Sequence, residues 1–334
     1  MDTHILGSWL QIAQPVIGSP WGQVDLRELA SKETPASVLG PVGWLLKADA
    51  NTTWANWYVD GLVDRAAYIY DEKRKFAQLY KTVKGALAAE HGSTPKDELT
   101  KLATAISVIA WEEIRLRREI YRGRISLRQK KELWYGSGAY PRCYLCGYRF
   151  SSIAKNKFLQ LSGGSVTHSP GINLVDFVRP RGKHATDLFP QVDHVRPVAN
   201  GGATSVENLR LACGWCNRHK SSHTQIYDAP SAYTGLYRHG VLGVINIPRP
   251  LWIIRIVKMR GRCEHRSGCT ATLDNSELFV APRRVTGSIN PTNCAIYCNE
   301  HDPWRDYRFV GLALYKRSFA KYPIPRTFSL ASSL

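Results

Sequence analysis

The sequence predicts an α+β protein, with an all-helical N-terminal region followed by small units built from short strands. Apolar residues recur at spacings of three, four or seven along the first third of the chain, which is typical of amphipathic helices. After a glycine-containing break at residues 135–138, clustered cysteines and short strand-like runs replace that pattern. The chain has 334 residues, 44% of them apolar, so we expect two or three domains with a sizeable buried core.

Three helices are predicted before the break. The first covers about Trp54–Glu90, the second covers Thr94–Tyr121, and the third begins at a capping box formed by Ser126 and Gln129. Their apolar stripes indicate a helical bundle. We therefore assign residues 1–125 to a helical domain, and we expect it to bind a protein partner or to regulate the rest of the chain.

The charge is strongly basic and unevenly distributed. There are 45 Lys and Arg residues against 27 Asp and Glu residues, which gives a net charge of +18. Residues 1–110 carry 11 basic and 12 acidic residues, a net of −1, whereas residues 111–334 carry 34 and 15, a net of +19. This excess favours a nucleic acid as partner, bound by the last two thirds of the chain.

Membrane and secreted proteins are disfavoured classes. Apolar runs such as Leu251–Val257 are far shorter than the roughly 20 residues of a membrane helix. The N-terminus carries Asp2 and lacks the basic segment of a signal peptide. Four of the eight cysteines form C-x2-C pairs, which indicates metal ligation rather than disulfides. We expect a cytoplasmic protein without membrane contact.

Two C-x2-C pairs in residues 126–228 provide the ligands of a tetrahedral four-cysteine zinc site. Two residues between the sulfurs allow one tight turn to direct both at the same ion. Sixty-six residues separate the pairs, which predicts an insertion at about 151–186. The four cysteines are Cys143, Cys146, Cys213 and Cys216.

An ordered motif accompanies these pairs. The segments 192–197, 201–202, 208–209 and 217–220 read VDHVRP, GG, NL and NRHK. Together with the cysteines, this order resembles the HNH endonuclease family in its zinc-stapled, ββα-metal form, with DH, N and N at the three motif positions. The resemblance covers residues 143–220.

The resemblance implies a role for each motif residue. His194 would be the general base for the attacking water, Asp193 would bind a catalytic divalent ion, and Asn208 would hold the loop and orient the base. Asn217 takes the position where many members carry histidine, and oxygen ligands there favour Mg²⁺ or Mn²⁺, while zinc would be structural. Because neighbouring strand residues point to opposite faces, Asp193 and His194 should lie at a strand end or bulge.

Basic residues beside the motif are candidate phosphate contacts. For His219 and Lys220 the alternative is a solvated basic helix face, and for Arg196 it is a surface ion pair. The four candidates are Arg196, Arg218, His219 and Lys220.

Residues 229–334 are interpreted as a degenerate second copy. An offset of 85 residues aligns the two regions without gaps from Pro197 to His219. The same offset places Asp193 on Leu278 and His194 on Phe279, so this copy would lack the general base. It would bind DNA or pack against the first copy. The alignment predicts a second structural zinc, with Cys294 as the alternative ligand to the histidine; the predicted ligands are Cys263, Cys269, Cys298 and His301.

The chain ends with cations set among aromatic residues, from Trp304 to Arg326. This pattern fits a nucleic-acid surface and fits a basic rim over a small core equally well. The cations are Arg305, Arg308, Lys316, Arg317, Lys321 and Arg326, and the aromatics are Trp304, Tyr307, Phe309, Tyr315, Phe319 and Tyr322.

The predicted function is a metal-dependent DNA endonuclease that acts on duplex DNA in restriction or phage defence, the setting that the family resemblance implies. One active site per chain predicts nicking by a monomer, and double-strand cleavage when two chains form a homodimer. One alternative is a zinc-stabilised DNA-binding module without hydrolytic activity. Another is a nuclease of the same family that acts on RNA.

Overall fold

The structure is a computed structural model that describes residues 3–18, 23–119, 123–161, 173–229 and 235–319. In these ranges the α-helices are α1 (Thr3–Gly18), α2 (Gln23–Ala30), α3 (Ala36–Leu39), α4 (Gly43–Leu62), α5 (Arg65–Tyr70), α6 (Phe76–Glu90), α7 (Lys96–Arg118), α8 (Leu127–Gly136), α9 (Ser152–Phe158), α10 (Gly214–Lys220), α11 (Pro250–Arg260) and α12 (Leu312–Phe319). The strands are β1 (Leu174–Asp176), β2 (Pro190–His194), β3 (Leu209–Cys213), β4 (Leu236–His239), β5 (Gly243–Asn246), β6 (Leu278–Pro282), β7 (Cys294–Cys298) and β8 (Phe309–Gly311).

The strands pair two by two, always antiparallel. β2 pairs with β3, β4 with β5 and β6 with β7, while β1 pairs with the distant β8. Helices before small sheets confirm the predicted α+β class. The capping box also forms, because Ser126 Oγ accepts from the backbone nitrogen of Gln129 at 3.2 Å, and Gln129 Oε1 accepts from that of Ser126 at 2.9 Å.

The single helix predicted over residues 54–90 is wrong. The structure divides this stretch among the end of α4, the short α5 and α6. Asp64 ends the continuity because its carboxylate accepts hydrogen bonds from the backbone nitrogens of Ala66 and Ala67, which begins a new helix. The apolar spacing carried across the break because α5 and α6 face the same core.

Two hydrophobic cores organise the described residues. The bundle core lies between the end of α4 and α5, α6 and α7, and includes Leu62, Leu87 and Ile114. The cysteine core contains most of the cysteines together with residues of β1–β8 and α11. Leu45 and Leu46, in the first half of α4, belong to the cysteine core. One continuous helix therefore takes part in both cores, although the sequence assigns all of it to the helical domain.

Asp49 fastens α4 to the second half of the chain. Its carboxylate is 2% exposed and accepts from the backbone nitrogen of Ile226 at 2.7 Å. The Arg255 guanidinium of α11 donates to the same carboxylate at 2.5 and 3.1 Å. A buried carboxylate with charged and neutral donors is fully neutralised, so this contact fixes α4 against residues 226 and 255.

The predicted insertion at 151–186 is not a peripheral segment where it is described. Val175 and Phe177 are fully buried in the cysteine core, and β1 pairs with β8. Arg179 and Arg181 are also buried and reach Glu277 at 2.5 Å each. The sequence did not indicate this role, because arginines are usually exposed and these two were interpreted as surface charge. Residues 162–172 lie outside the described part of the chain.

The C-terminal stretch is partly core. Trp304, Arg308 and Tyr315 are buried, and Arg308 pairs with Asp176 and Asp302. The predicted nucleic-acid surface therefore loses these side chains to packing, whereas Arg305 stays exposed. Lys321, Tyr322 and Arg326 lie outside the described residues. Within the described ranges, no helix combines the length and the apolar character needed to cross a bilayer.

Candidate active site and metal clusters

The first predicted cysteine set comes together. Two residues arrive on the turn before α9 and two at the junction of β3 and α10, and all four sulfurs lie within 4.8 Å of one another. Cys146 Sγ and Cys213 Sγ are 4.0 Å apart. Four sulfurs at 2.3 Å from a tetrahedral zinc would be separated by about 3.8 Å, so this buried cluster fits zinc closely.

The second predicted set also comes together, and it is the set with His301. Cys269 Sγ and Cys298 Sγ are 3.9 Å apart, and His301 Nδ1 lies 3.3 Å from Cys298 Sγ and 3.7 Å from Cys263 Sγ. A sulfur and a nitrogen on one tetrahedral zinc would be about 3.6 Å apart. Cys294 lies outside the cluster, where burial raises the pKa of its thiol to about 12.

The motif residues sit on a small hairpin crossed by a helix. β2 pairs with β3 in regular register, with His194 opposite Leu209 and Asp193 opposite Arg210. Helix α10 follows β3 directly and packs against β2 through Asn217 and Lys220. His194 is therefore the last residue of β2, which agrees with the predicted strand end.

His194 is partly buried, and its imidazole ring is held by a hydrogen bond. Its Nε2 lies 3.0 Å from the hydroxyl oxygen of Thr204, a residue of the loop between β2 and β3. When Nε2 carries the proton and donates to Thr204, the lone pair is on Nδ1, which can then accept a proton from water. Thr204 was not predicted, because a single threonine in a turn carries no signal in the sequence.

Asp193 lies inside the protein rather than facing solvent. It is 5% exposed and its carboxylate accepts from the Tyr144 hydroxyl at 2.6 Å and from Lys220 Nζ at 3.1 and 3.2 Å. Burial raises the pKa of the Asp193 carboxyl, and the Lys220 ammonium opposes that rise. Tyr144, between the first two cysteines, is a further site residue that the sequence did not reveal.

Asn217 faces the same strand as Asp193. Its amide nitrogen donates to Gln191 Oε1 at 2.7 Å, which orients the side chain and makes the carbonyl oxygen the candidate ligand atom. Gln191 and Asp193 are two residues apart on β2, and Asn217 and Lys220 are three apart on α10. These spacings place all four side chains on the facing sides of strand and helix.

The oxygen donors fit a hard divalent ion, with one competitor. A carboxylate and an amide oxygen are suitable ligands for Mg²⁺ or Mn²⁺. Asp193 would hold the ion, with Asn217 as the second protein ligand. The Lys220 ammonium lies against the same carboxylate, so ion and ammonium would share or exchange that partner.

Asn208 holds the loop between the strands. Its Oδ1 accepts from the backbone nitrogen of Arg196 at 2.8 Å, and its Nδ2 donates to the carbonyl oxygens of Arg196 and Ala203 at 3.0 and 2.9 Å. Gly202 packs closely against this amide and the loop backbone. A Cβ added at this position would meet the carbonyl oxygen of Arg196 at 1.9 Å. Asn208 thereby ties both ends of the loop that begins just after His194.

Two of the four candidate phosphate contacts are positioned differently from the prediction. Lys220 is buried and also donates to the carbonyl oxygen of His194 at 2.8 Å, so its ammonium serves the interior. His219 packs on Trp215, and burial lowers its pKa to about 4, which leaves it uncharged at neutral pH. Arg196 is exposed, and Arg218 is half-exposed while paired with the buried Asp187.

The second hairpin, β6–β7, repeats the loop geometry of the first. Asn293 accepts from the backbone nitrogen of Arg284 at 3.0 Å and donates to the carbonyl oxygens of Arg284 and Ser288, as Asn208 does to Arg196 and Ala203. Gly287 meets the Asn293 amide as Gly202 meets that of Asn208. The loops of the two hairpins are therefore held by the same pattern of asparagine hydrogen bonds.

The alignment without gaps, however, is wrong on the β2 side. Leu278 pairs with Cys298 as Pro190 pairs with Cys213, so the offset is 88 on this strand and becomes 85 within the loop, by Gly202. The second loop is three residues shorter. Asp193 therefore corresponds to Ala281 and His194 to Pro282, not to Leu278 and Phe279. Neither residue can act as a base or a metal ligand, and residues 299–308 form turns in place of α10.

Comparison with known families agrees with this geometry. Residues 182–223 match the family model of the HNH endonuclease. No curated protein matches the chain, and no solved structure matches it either. The matched segment contains β2, β3 and α10 with His194, Asp193, Asn208 and Asn217. Residues 182–223 therefore form an HNH domain.

Proposed function

We propose that this protein is a metal-dependent endonuclease whose substrate is DNA. The observation that carries the proposal is the position of His194 at the end of β2, held by Thr204, within a segment that matches the HNH family model; Asp193 precedes it on β2, and Asn217 contacts the same strand through Gln191. Hydrolysis of a phosphodiester needs an activated water and neutralisation of charge at the phosphate. Mg²⁺ or Mn²⁺, when bound, would stabilise the negative charge on the phosphate and the leaving oxygen.

The chain's own residues divide the remaining work. His194 accepts the proton of the attacking water at a ring nitrogen. Asn208 keeps the loop after His194 in place, and Asp193 and Asn217 would hold the ion. Arg196 is exposed two residues beyond the base, where it can contact a neighbouring phosphate. Both zinc clusters act as scaffold, the first by joining β3 and α10 to residues 143–146.

The test is conversion of supercoiled plasmid by the full-length protein with Mg²⁺ or Mn²⁺. We expect wild type to produce nicked plasmid and His194→Ala to lose activity, whereas His91→Ala, on a distant helix end, retains it. Equal cutting by wild type and His194→Ala would contradict the proposal. Plasmid binding without cutting by either protein would favour the non-catalytic binding module.

Substrate and setting follow from the same assay. A folded RNA of similar length serves as competitor substrate, and faster cleavage of RNA would replace DNA as the assignment. The nicked-to-linear ratio at rising protein concentration reports whether single chains nick and paired chains cut both strands. Host defence, such as restriction, is the setting that we propose from the family resemblance.

A further inference from the structure

A large cavity among the described residues adjoins the loop that follows His194. It is an open groove of about 1210 Å³ between α4 on one side and residues 196–200 and 222–228 on the other. Arg117 of α7 also lines it. Gly201 lies directly on α7, where an added Cβ would meet the Leu116 Cβ at 2.8 Å, so the loop that follows His194 forms a groove wall.

Two tryptophans of α4 open into this groove. Trp54 is 60% exposed and Trp57 is 66% exposed, and both line the cavity. They are three residues apart and therefore lie on one face of the helix. Large exposed aromatic surfaces in a concave site indicate ligand binding rather than packing, because a soluble protein gains stability by burying them.

The charges of the groove neutralise one another. Three arginines and three carboxylates line it, so its formal charge is zero; they are Arg65, Arg117, Arg196, Asp60, Glu113 and Asp228. Arg65 binds Asp60 through two hydrogen bonds of 2.6 and 2.8 Å, and Arg117 pairs with Glu113 at 2.6 Å. Such a site suits a flat, neutral ligand better than it suits a phosphate.

Polar groups complete the lining. Asn56 and Gln225 provide amide donors and acceptors beside the tryptophans, and Thr53 donates to Gln225 across the groove. A nucleobase is a flat neutral ring with donors and acceptors along one edge. Aromatic faces with amides at the edge are the usual means by which proteins bind unpaired bases.

We propose that this groove binds unpaired bases of the substrate strand, stacked on Trp54 and Trp57, next to the point of cleavage. The inference rests on the proposed function, since it assigns part of the same substrate to a second surface. Continuity supports it: Arg196 lines the groove and is also the residue whose backbone Asn208 holds beside the catalytic strand. The protein would thus act on strands that are locally unpaired or carry an extruded base.

Binding to DNA without added divalent ion tests the proposal, because no cleavage is then needed. The probes are a fluorescent single-stranded oligonucleotide and the fully paired duplex of the same length. We expect the Trp54→Ala/Trp57→Ala variant to lose about tenfold or more in single-strand affinity, since each stacked base contributes substantially. Duplex affinity, set by phosphate contacts, should change little.

Two controls keep the result interpretable. Trp44→Ala removes another exposed tryptophan of α4, 54% exposed and outside the groove lining, and should bind as wild type. Trp54→Phe/Trp57→Phe keeps an aromatic ring and should retain most of the affinity. Thermal unfolding confirms that each variant is folded.

Unchanged single-strand affinity in the alanine variant would overturn the proposal. So would an equal loss for single strand and duplex, because the groove would then contact the backbone. A wild type that binds through its tryptophans but never cuts plasmid would refute the nuclease and leave the groove assignment intact. If the protein cuts plasmid but its single-strand affinity does not depend on the two tryptophans, the groove assignment is refuted and the nuclease assignment stands.

Discussion

The ammonium nitrogen of Lys220 lies 3.1 Å from a carboxylate oxygen of Asp193, and both groups are almost completely buried. A buried carboxylate that loses its cation is costly, about 3–5 kcal/mol in comparable pairs. The position that the family resemblance gives to a metal ligand is thus neutralised by a lysine from the chain itself. We therefore expect the Lys220 ammonium and a divalent ion to compete for the Asp193 carboxylate.

Replacing Lys220 by Met should make stability depend on metal. We expect Lys220→Met to unfold at a lower temperature than wild type, and Mn²⁺ to raise its melting temperature more than that of wild type, since the ion replaces the lost cation. Differential scanning fluorimetry with a Mn²⁺ titration measures both. The Asp193→Asn/Lys220→Met double variant should recover stability and lose the Mn²⁺ response; a single variant that melts as wild type would refute the coupling.

Thr204 should act as a positioning residue for His194. Thr204→Val keeps the shape but removes the hydroxyl that lies 3.0 Å from Nε2, so the ring loses its fixed orientation and proton position. We expect kcat for plasmid nicking to fall about tenfold with little change in KM. Thr204→Ser, which restores the hydroxyl, should recover the rate, and equal rates for Val and Ser would contradict this role.

The two loop asparagines offer a matched pair. Asn208→Ala and Asn293→Ala each remove three hydrogen bonds to loop backbone, and each should destabilise the protein by about 1–3 kcal/mol. Only Asn208→Ala should also reduce cleavage per folded molecule, because only its loop follows the base. Chemical denaturation and nicking rates at equal folded concentration separate the effects. Equal cleavage losses in both variants would assign an active role to the second hairpin.

Zinc content distinguishes the ligands of the second cluster. We expect two zinc ions per chain in wild type and in Cys294→Ala, because Cys294 lies outside the cluster. Cys298→Ala should retain only the ion of the first cluster, since three ligands remain at the second. Elemental analysis of the purified proteins gives the ratio. Loss of zinc from Cys294→Ala would restore the alternative ligand set.

Gly147 fixes the contact between the turn that carries Cys143 and Cys146 and the start of β6. It has φ +75°, and an added Cβ would lie 2.0 Å from the carbonyl oxygen of Ser276, while Cys146 accepts from the backbone nitrogen of Leu278 at 3.0 Å. Gly147→Ala should therefore destabilise the whole protein. Gly138→Ala has the same backbone conformation, with φ +83°, and open space around it. Similar melting temperatures for the two variants would show that backbone strain alone accounts for the loss.

The cysteine clusters were the part of the site that the sequence predicted best. The C-x2-C spacing indicated the first cluster, and the offset of 85 residues selected Cys263, Cys269, Cys298 and His301, which the structure brings together. The capping box at Ser126 was equally local. Such features depend on neighbours in the chain, which a sequence displays directly.

Features that depend on distant neighbours were missed. The sequence does not show the three-residue difference between the loops, because few residues are identical. The register of β6 and β7 was needed to show that Ala281 corresponds to Asp193 and Pro282 to His194. Lys220 was predicted at the surface because its burial depends on β2. The spacing of Asn217 and Lys220 on one short helix did, however, contain the information that both face the same strand.

Helix α4 has a consequence for how the groove can bind. Its 20 residues extend about 30 Å, and its two halves are anchored in different cores. A continuous helix does not act as a hinge, so the width of the groove is set before any ligand arrives. A preorganised site loses little conformational entropy when it binds, and it selects ligands by their shape. It therefore favours a flat ligand that fits between the existing walls over a ligand that requires the walls to move.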